Sequence, residues 1–235
     1  MRRGLFVTGT DTGAGKTVVA CAVVRSLRDR GLDVGVMKPI ETGVDPDTGP
    51  LDASALRAAA GDPDPLDRVC PLQFALPAAP NVAAASEGRG VDLARVHHVY
   101  EDLARQHDWM VVEGAGGLLV PTTDDATMAD LARDLELPVL VVARAALGTI
   151  NHTRLTLEEV TRQGVDLVGV AISHDHVISD ADAANLDCLR QWLGERLLFE
   201  VPTQDDPTAA PELEAQSTAR LLERLETLGG RSGDS

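Results

Sequence analysis

Short apolar runs alternate with longer segments of helical periodicity along most of the chain. The apolar runs contain few polar residues, which is typical of parallel strands that are buried on both faces. We predict strands at residues 5–8, 34–37, 110–112, 139–143, 167–172 and 197–201. We predict helices at residues 16–30, 93–106, 128–135, 152–163, 181–193 and 211–225, with a short helix at 52–60. This alternation indicates an α/β fold with a mainly parallel sheet and helices on both faces.

The segments between these elements indicate a single domain. Residues 43–50 and 61–80 are rich in Pro, Gly and Asp, so we expect them to form loops. A length of 235 residues fits one large α/β domain, which we place at residues 1–228, with a disordered tail at 229–235. Ligands of such folds bind beyond the carboxyl ends of the strands, so the residues that follow each strand are candidates for chemistry.

The composition narrows the class of partner. The formal net charge of −16 argues against nucleic acid, because neutralising phosphates needs clustered Lys and Arg. The chain has no apolar run long enough for a membrane span and no signal-peptide pattern, so we expect a cytoplasmic protein that acts on small molecules. The cysteines at positions 21, 70 and 188 are scattered, without the close pairs of a zinc site, and are expected to be packing residues.

Only two of the 21 basic residues are lysines, and the first lies in GTDTGAGKT at residues 9–17. This stretch resembles the phosphate loop G-x-x-x-x-G-K-[ST], except that Thr10 stands where the pattern has glycine and Gly9 comes one place earlier. The helix that follows has N–H groups free to hold an anion, so we predict a fold of P-loop NTPase type. Lys16 should reach the terminal phosphates and the Thr17 hydroxyl should bind magnesium. The alternative is a glycine turn that only joins a strand to a helix.

The second lysine and a buried carboxylate follow two other predicted strands. In KPIETG, Pro39 fixes the chain direction as it leaves the sheet, so Lys38 should project toward the crevice that holds Lys16. In VVEGAGGLLVP, Glu113 ends a buried strand, where a carboxylate needs a cation, so it is a candidate magnesium ligand. The glycines of that stretch should let backbone approach a ligand. The alternatives are a surface lysine and an ordinary turn.

A fourth stretch, LGTINHTRLT at residues 147–156, begins near Gly148 and leads into a predicted helix. Asn151 is the expected N-cap of that helix, and helix N-termini bind carboxylates well. The sequence offers no obvious Ser-His-Asp or Cys-His set, and we expect His152 to be structural or to face the substrate rather than to act as a base.

These four stretches, in this order and at these separations, resemble the dethiobiotin synthetase family over residues 4–225. The phosphate loop of that family has the same extra residue. The resemblance implies an ATP-dependent ligase that carboxylates 7,8-diaminopelargonic acid with CO₂ and closes the ureido ring. It implies ATP as co-substrate, Mg²⁺ as cofactor and a homodimer. The implied route runs through a carbamate and a carbamic-phosphoric anhydride, so no protein nucleophile is needed.

The resemblance also implies roles for individual residues. The catalytic residues would be Lys16 and Lys38, which stabilise charge on the transferred phosphoryl group. The nucleotide positions are Thr12, Gly13, Ala14, Gly15, Lys16, Thr17, Val18, Ser173 and Pro202. The substrate positions are Thr12, Lys38, Thr42, Pro80, Gly148, Thr149 and Asn151, of which the last three would hold the substrate carboxylate from the partner subunit. The magnesium positions are Thr17, Asp52 and Glu113.

One departure from the family and two alternative functions follow from the same motifs. Some members have an Asn near the position of Ser173 that recognises adenine, and its absence here predicts a loose preference for ATP. A switch ATPase of the partitioning or division-site type shares the fold, but carries an extra Lys early in the loop, where this chain has TDTG at 10–13. A cobyrinic-acid amidase-type synthetase needs a glutaminase domain, for which the residues after 225 leave no room.

Overall fold

The computed structural model describes residues 3–61, 64–174, 179–202 and 206–231. Its strands are β1 (Gly4–Gly9), β2 (Val34–Met37), β3 (Ile40–Thr42), β4 (Leu72–Phe74), β5 (Trp109–Gly117), β6 (Val139–Arg144), β7 (Leu167–Ser173) and β8 (Leu197–Val201). Its helices are α1 (Lys16–Arg28), α2 (Leu51–Ala59), α3 (Leu66–Val69), α4 (Pro80–Ser86), α5 (Leu93–Ala104), α6 (Met128–Asp134), α7 (Thr149–Arg162), α8 (Asp180–Leu193) and α9 (Ala215–Arg231).

The main sheet has six parallel strands in the order β2-β5-β1-β6-β7-β8. Helices cover both of its faces and divide the core in two. One half of the core lies under α1, α2, α3 and α9, and the other half lies under α4 to α8. Each strand contributes alternate side chains to the two halves, so the strands are apolar along their whole length. The predicted α/β fold with a mainly parallel sheet is confirmed.

A small parallel pair, β3 with β4, lies outside the main sheet. The sequence analysis missed both strands, because each has three residues, which is too short for a periodic pattern. It also assigned residues 61–80 to a loop, whereas α3 and the first residue of α4 lie within that range. These elements position the turn after β2 and the beginning of α2, which carry part of the candidate site described below.

Three further predictions need correction. Helix α9 extends to Arg231, so the predicted tail begins inside a helix, and residues 232–235 lie outside the described residues. Cys21 and Cys70 are buried as expected, but Cys188 is exposed and does not pack in the core. Gly114 was expected to let backbone approach a ligand, but a Cβ there would lie 2.7 Å from the ring of Phe6, so packing requires this glycine. None of the helices in the described ranges is both long and apolar enough to span a membrane.

Candidate active site

The loop between β1 and α1 leaves the beginning of α1 open to an anion. Its N-cap, Gly15, has a left-handed φ of 85° and offers no side-chain cap, and the first turn has no acidic residue. The N–H groups of this turn are therefore available to a negatively charged ligand. A Cβ at Gly15 would lie 2.1 Å from Ser173 Oγ, so only glycine fits here. Ala14 and Val18, on either side of Gly15, are buried in the core and hold the C-terminal end of the loop in place.

The displaced first glycine of the loop has a steric explanation. A Cβ at Gly9 would lie 2.8 Å from the carbonyl oxygen of Asp11, because the loop turns back over the end of β1. Thr10, where the usual pattern has glycine, donates its backbone N–H to the carbonyl oxygen of Val142 at 2.9 Å. Lys16 Nζ lies 3.4 Å from the Asp11 carbonyl oxygen, so the lysine side chain runs back along the loop. The loop thus keeps an open helix N-terminus with a lysine beside it despite its changed spacing, and phosphate binding there stays a prediction.

The ammonium group of Lys38 is buried and is the centre of a cluster beside this loop, in which the Asp52 side chain is 41% exposed. Its Nζ lies 2.5 Å from Glu113 Oε1 and 2.8 Å from Asp52 Oδ2, and it donates to the Gly114 carbonyl oxygen at 3.3 Å. Thr17 donates its hydroxyl to the same Glu113 Oε1 at 3.0 Å. The side chain of Lys38 is 3% exposed and that of Glu113 is fully buried. One residue each from α1, α2, β5 and the turn after β2 therefore meet at one point.

The strand register explains why these residues meet. Strand β2 pairs with β5 so that Met37 lies opposite Val112, which places Lys38 level with Glu113. Val36 and Val111 face the core half under α1 and α2. Because side chains alternate along a strand, Lys38 and Glu113 project to that same face, where Thr17 and Asp52 lie on the two helices.

Burial and charge act in opposite directions on the groups of this cluster. Burial raises the pKa of Glu113, although the charge of Lys38 opposes this. Burial would lower the pKa of Lys38, but the charges of Glu113 and Asp52 outweigh it and raise that pKa. The pKa of Lys16 is lowered, first by burial and then by the charge of Lys38. The charges of the two lysines therefore influence each other, and their joint role in one catalytic site stays a prediction.

The cluster fits a magnesium ion that a nucleotide helps to hold. Glu113 Oε2 is buried and has no hydrogen-bond partner among the described residues, so it is left for a ligand. With Asp52 and the Thr17 hydroxyl it makes an oxygen-only donor set with two carboxylates. Mg²⁺ accepts such a set together with phosphate oxygens and water. The described ranges contain no metal-suited group of three or more His, Cys, Asp or Glu residues.

The sequence analysis missed Glu41, which lies three residues after Lys38. Glu41 is buried and accepts hydrogen bonds from the backbone N–H groups of Asp52 and Ala53. The available signal was indirect: Pro50 precedes the predicted helix and has no side chain that could cap it. A reader of the sequence could infer a missing cap, but could not tell which residue supplies it.

The remaining predicted residues of the first half of the chain lie around the same edge. Thr12 is exposed, and its Oγ1 lies 3.5 Å from the position that a Cβ at Gly116 would take, so the phosphate loop adjoins the glycine-rich end of β5. Thr42 ends β3 and is partly buried, and Pro80 is the first residue of α4 and is buried. Within the described part of the chain, neither Thr42 nor Pro80 makes a hydrogen bond or ion pair with the cluster around Lys38, so their substrate role stays a prediction.

The predicted carboxylate site is at the beginning of α7, where the N-cap assignment was wrong. Gly148, with a φ of 91°, is the N-cap, and Asn151 lies inside the helix. Thr149 is buried, and its hydroxyl has no hydrogen-bond partner among the described residues. A cavity of about 500 Å³ lies between α7 and α8, lined by Gly148, Asn151 and Arg154 among others. None of the cluster around Lys38 lines this cavity, so the two features are separate within one protomer.

The predicted nucleobase residues follow the last two strands. Ser173 ends β7, is buried and lies against Gly15 of the phosphate loop. Pro202 directly follows β8 and is exposed. Both therefore lie at the carboxyl edge of the sheet, and Ser173 also adjoins the loop that is expected to hold the phosphates.

Comparisons with known proteins identify the family. Residues 3–211 match a family model described as an AAA domain. The ATP-dependent dethiobiotin synthetase BioD of Anaeromyxobacter dehalogenans strain 2CP-C is 56% identical over 171 residues, which cover 73% of this chain and 76% of that protein. The protein of the same name from Bacillus thuringiensis strain Al Hakam is 42% identical over 170 residues, 72% of this chain and 70% of that protein. The chain belongs to the ATP-dependent dethiobiotin synthetase family. The resemblance inferred from four short stretches is thereby confirmed.

Solved structures similar to this dethiobiotin synthetase family member show the fold alone. A ParA family ATPase from Chlorobium tepidum TLS has a TM-score of 0.52 and 12% identity, covering 96% of this chain and 99% of that chain. The MinC:MinD cell division complex of Aquifex aeolicus gives a TM-score of 0.55 and 12% identity, covering 97% and 96%. These belong to the class of the first alternative function. At such low identity they support the P-loop fold, whereas the identity to synthetases decides the family.

Proposed function

We propose that this protein is a dethiobiotin synthetase that carboxylates 7,8-diaminopelargonic acid with CO₂ and closes the ureido ring with the help of ATP and Mg²⁺. One observation carries the proposal: Lys38, Thr17, Asp52 and Glu113 converge beside a phosphate loop in a chain that is 56% identical to a named synthetase. The cytoplasmic location expected from the sequence stays a prediction.

The proposed reaction needs alignment and charge stabilisation rather than a protein nucleophile. An uncharged amine of the substrate attacks CO₂ and loses a proton, which gives a carbamate. A carbamate oxygen then attacks the γ-phosphorus of ATP and displaces ADP, which gives a carbamic-phosphoric anhydride. The second amine attacks the carbonyl carbon and expels phosphate, which closes the ring with loss of a proton. Negative charge accumulates on the transferred group, so catalysis is chiefly electrostatic.

The two lysines supply the positive charge in this proposal. Lys16 lies over the phosphate loop, and its position there suits contact with the terminal phosphates. Lys38 is bound to two carboxylates, so it must release at least one of them before its ammonium group can contact the carbamate and the transferred phosphoryl group. Thr12 is proposed to border the same reacting groups from the exposed side of the loop.

Thr17, Asp52 and Glu113 are the residues that would hold Mg²⁺, and the unpartnered Glu113 Oε2 supports this assignment. The ion would supply charge that draws electrons from the phosphate oxygens. Because Lys38 contacts both carboxylates of this set, through Glu113 Oε1 and Asp52 Oδ2, its ammonium group would lie next to the ion and the two positive charges would repel each other. We therefore infer that Lys38 moves toward the substrate when the set is filled.

The remaining assignments concern the substrate and the assembly. Thr42 and Pro80 are proposed to line the diamine pocket, and Gly148, Thr149 and Asn151 to hold the substrate carboxylate across a homodimer. The open beginning of α7 and the unpartnered hydroxyl of Thr149 support the carboxylate assignment. Leu147 and Leu155, which are 78% and 61% exposed, support an interface on this face.

The direct test is to incubate the purified protein with 7,8-diaminopelargonic acid, bicarbonate, ATP and MgCl₂ and to look for dethiobiotin by mass spectrometry. We expect a product with one carbon from ¹³C-bicarbonate and one ADP released per product molecule. ATP hydrolysis without dethiobiotin, unaffected by the diamine, would instead support a switch ATPase.

A further inference from the structure

Glu41 is a buried acidic residue to which neither the family resemblance nor the reaction assigns a role. It lies on β3 and is 7% exposed. Its Oε1 accepts a hydrogen bond from the backbone N–H of Asp52 at 3.0 Å, and its Oε2 accepts one from Ala53 at 2.9 Å. Burial raises the pKa of Glu41, and these two N–H groups oppose that rise, so the backbone contacts favour the ionised carboxylate.

These contacts complete a helix that cannot cap itself. The N-cap of α2 is Pro50, which makes no side-chain cap, so the first N–H groups of the helix need acceptors from elsewhere. Glu41 supplies both acceptors to the second and third residues of the helix. A carboxylate at a helix N-terminus is also favoured by the helix dipole.

The contact between Glu41 and the beginning of α2 is important because it holds Asp52 in place. Asp52 is the second residue of α2, and its Oδ2 accepts a bond from Lys38 Nζ at 2.8 Å. Lys38, in the turn after β2, and Glu41, in β3, are three residues apart, so α2 is bound to this short segment twice: through the Asp52 side chain to Lys38 and through the backbone to Glu41. This closed ring of contacts fixes the place of the Asp52 carboxylate relative to Lys38 and Glu113.

We propose that Glu41 is a positioning residue for the reaction, which acts by holding Asp52 in the cluster with Lys38, Thr17 and Glu113. The inference rests on the proposed function of that cluster. Glu41 is not itself a ligand here, because both of its carboxylate oxygens already accept backbone N–H groups. Removing a cap that served stability alone would lower thermal stability without lowering kcat/KM.

The test compares Glu41→Ala, Glu41→Gln, Asp52→Ala and the double variant Glu41→Ala/Asp52→Ala. Residues that orient a ligand cost about 10–100-fold in activity when removed. We expect Glu41→Ala to lower kcat/KM for ring closure by about as much as Asp52→Ala, and the double variant to lower it no further. Glu41→Gln keeps the shape and one acceptor, so it should lie between wild type and Glu41→Ala, and it serves if the alanine variant fails to fold.

A binding measurement separates this role from the proposed reaction. Calorimetry with a non-hydrolysable ATP analogue, in MgCl₂ and in EDTA, gives the gain in affinity due to the metal. Glu41→Ala and Asp52→Ala should lose that gain to the same extent and keep the affinity measured in EDTA. If the wild type makes no dethiobiotin, the proposed reaction fails, but this measurement still tests Glu41.

Asp92→Ala is the matched control. Asp92 caps α5 by accepting the backbone N–H of Arg95 at 2.9 Å, and it is not part of the cluster. This variant should lose stability in thermal unfolding yet keep wild-type kcat/KM and metal-dependent affinity. The proposal is overturned if Glu41→Ala behaves like Asp92→Ala, or if the losses in Glu41→Ala and Asp52→Ala multiply in the double variant.

Discussion

Lys38 contributes to the stability of the fold and, in the proposed reaction, to catalysis. The two roles require different contacts of its ammonium group. In the structure it neutralises Glu113, a carboxylate with no exposed surface, and in the proposed reaction it must give up that contact to bind the transferred group. A buried carboxylate that loses its cation is costly, and removing one partner of a buried pair typically costs about 3–5 kcal/mol. The buried pair therefore implies that removing Lys38 lowers the stability of the fold as well as the activity.

Two variants separate these roles. Lys38→Met should lower turnover by at least about tenfold, because a preorganised cation is lost from an anionic site, and should also lower the midpoint of urea unfolding. Lys38→Met/Glu113→Gln removes the unpaired charge, so it should regain much of the stability while turnover stays low. Steady-state assays and urea unfolding check both. Unchanged turnover in Lys38→Met would remove Lys38 from the mechanism.

A second prediction about a single side chain concerns Ser173 and the preference for ATP over other nucleotides. It offers one hydroxyl, whereas an Asn amide could donate and accept hydrogen bonds to adenine at the same time. One missing hydrogen bond is worth about 0.5–1.5 kcal/mol, so GTP or CTP should support ring closure within about tenfold of ATP. Ser173→Asn should widen the preference for ATP. Competition between nucleotides in one reaction measures the ratio, and a strict requirement for ATP in the wild type would contradict the prediction.

The phosphate loop is an element in which two glycines can be compared directly. Gly13 and Gly15 both have positive φ, but a Cβ at Gly13 would meet nothing within 4 Å, whereas one at Gly15 would meet Ser173. Gly13→Ala should therefore cost only the backbone strain, about 1–2 kcal/mol, and keep nucleotide binding. Gly15→Ala should also displace the loop and lose nucleotide binding. Calorimetric titration with ATP analogues distinguishes them, and equal loss in both variants would show that backbone strain alone matters.

Strand β8 is tied to α8 by Glu200. Its carboxylate accepts two hydrogen bonds of 2.7 Å from Arg190 and lies 2.5 Å from His174 Nε2. The bonds from Arg190 lower the pKa of Glu200 below its usual 4.5, although burial opposes them. A lowered pKa in the folded state contributes stability above the unfolded pKa, and that stability is lost as the pH falls through the folded value.

We therefore expect Glu200→Gln to lower the free energy of unfolding at pH 7 by about 1.5–3 kcal/mol, the range for hydrogen bonds to charged groups. The difference from wild type should shrink below about pH 4 as the wild-type carboxylate is protonated. Arg190 keeps Asp187 as a partner at 2.8 Å in the variant. Urea unfolding across a pH series measures this, and Glu195→Gln, whose side chain is 95% exposed, is the control. A difference that is the same at pH 3 and pH 7 would contradict the assignment.

At the level of elements, hydrophobic periodicity predicted the buried strands of the main sheet. It missed the very short strands and misplaced the N-cap of α7. Each of the six strands of the main sheet coincides with an apolar run that can be recognised in the sequence. Strands β3 and β4 have three residues each and carry no period. The N-cap of α7 was misplaced because Asn151 is a better cap by type, whereas the chain turns at Gly148 with a left-handed backbone.

The residues of the candidate site likewise include some that the sequence predicts and one that it does not. Lys38 and Glu113 could be predicted, because each directly follows a predicted buried strand, and parallel strands bring such residues to one edge. Strand β5 continues through Glu113 to Gly117, so the predicted end of that strand was wrong. Their contact depends on the register of β2 with β5, which the sequence does not encode locally. Glu41 escaped notice because its importance lies in the distant N–H groups of α2, not in its own neighbours along the chain.

At the scale of the whole molecule, the large negative net charge disfavours the proposed dimer. Each protomer carries a formal net charge of −16, so two copies repel at low ionic strength. The apolar side chains of Leu147 and Leu155 would have to overcome that repulsion. Salt screens charges beyond about 10 Å at 0.1 M, while it leaves apolar contacts in place. The proposed dimer should therefore become tighter as salt is added at constant pH.

The last prediction joins assembly to activity. Leu155→Glu adds a charge to the exposed face of α7, so it should shift the protein toward monomer in sedimentation experiments. Because Gly148, Thr149 and Asn151 are proposed to serve the site of the partner subunit, the KM for the diamine should rise by more than the KM for ATP. Ala219→Glu adds the same charge to an exposed position of α9, on the other side of the sheet, and should change neither. If Leu155→Glu stays as dimeric as wild type at every salt concentration, α7 is not at the interface, and the diamine carboxylate must be bound within one subunit.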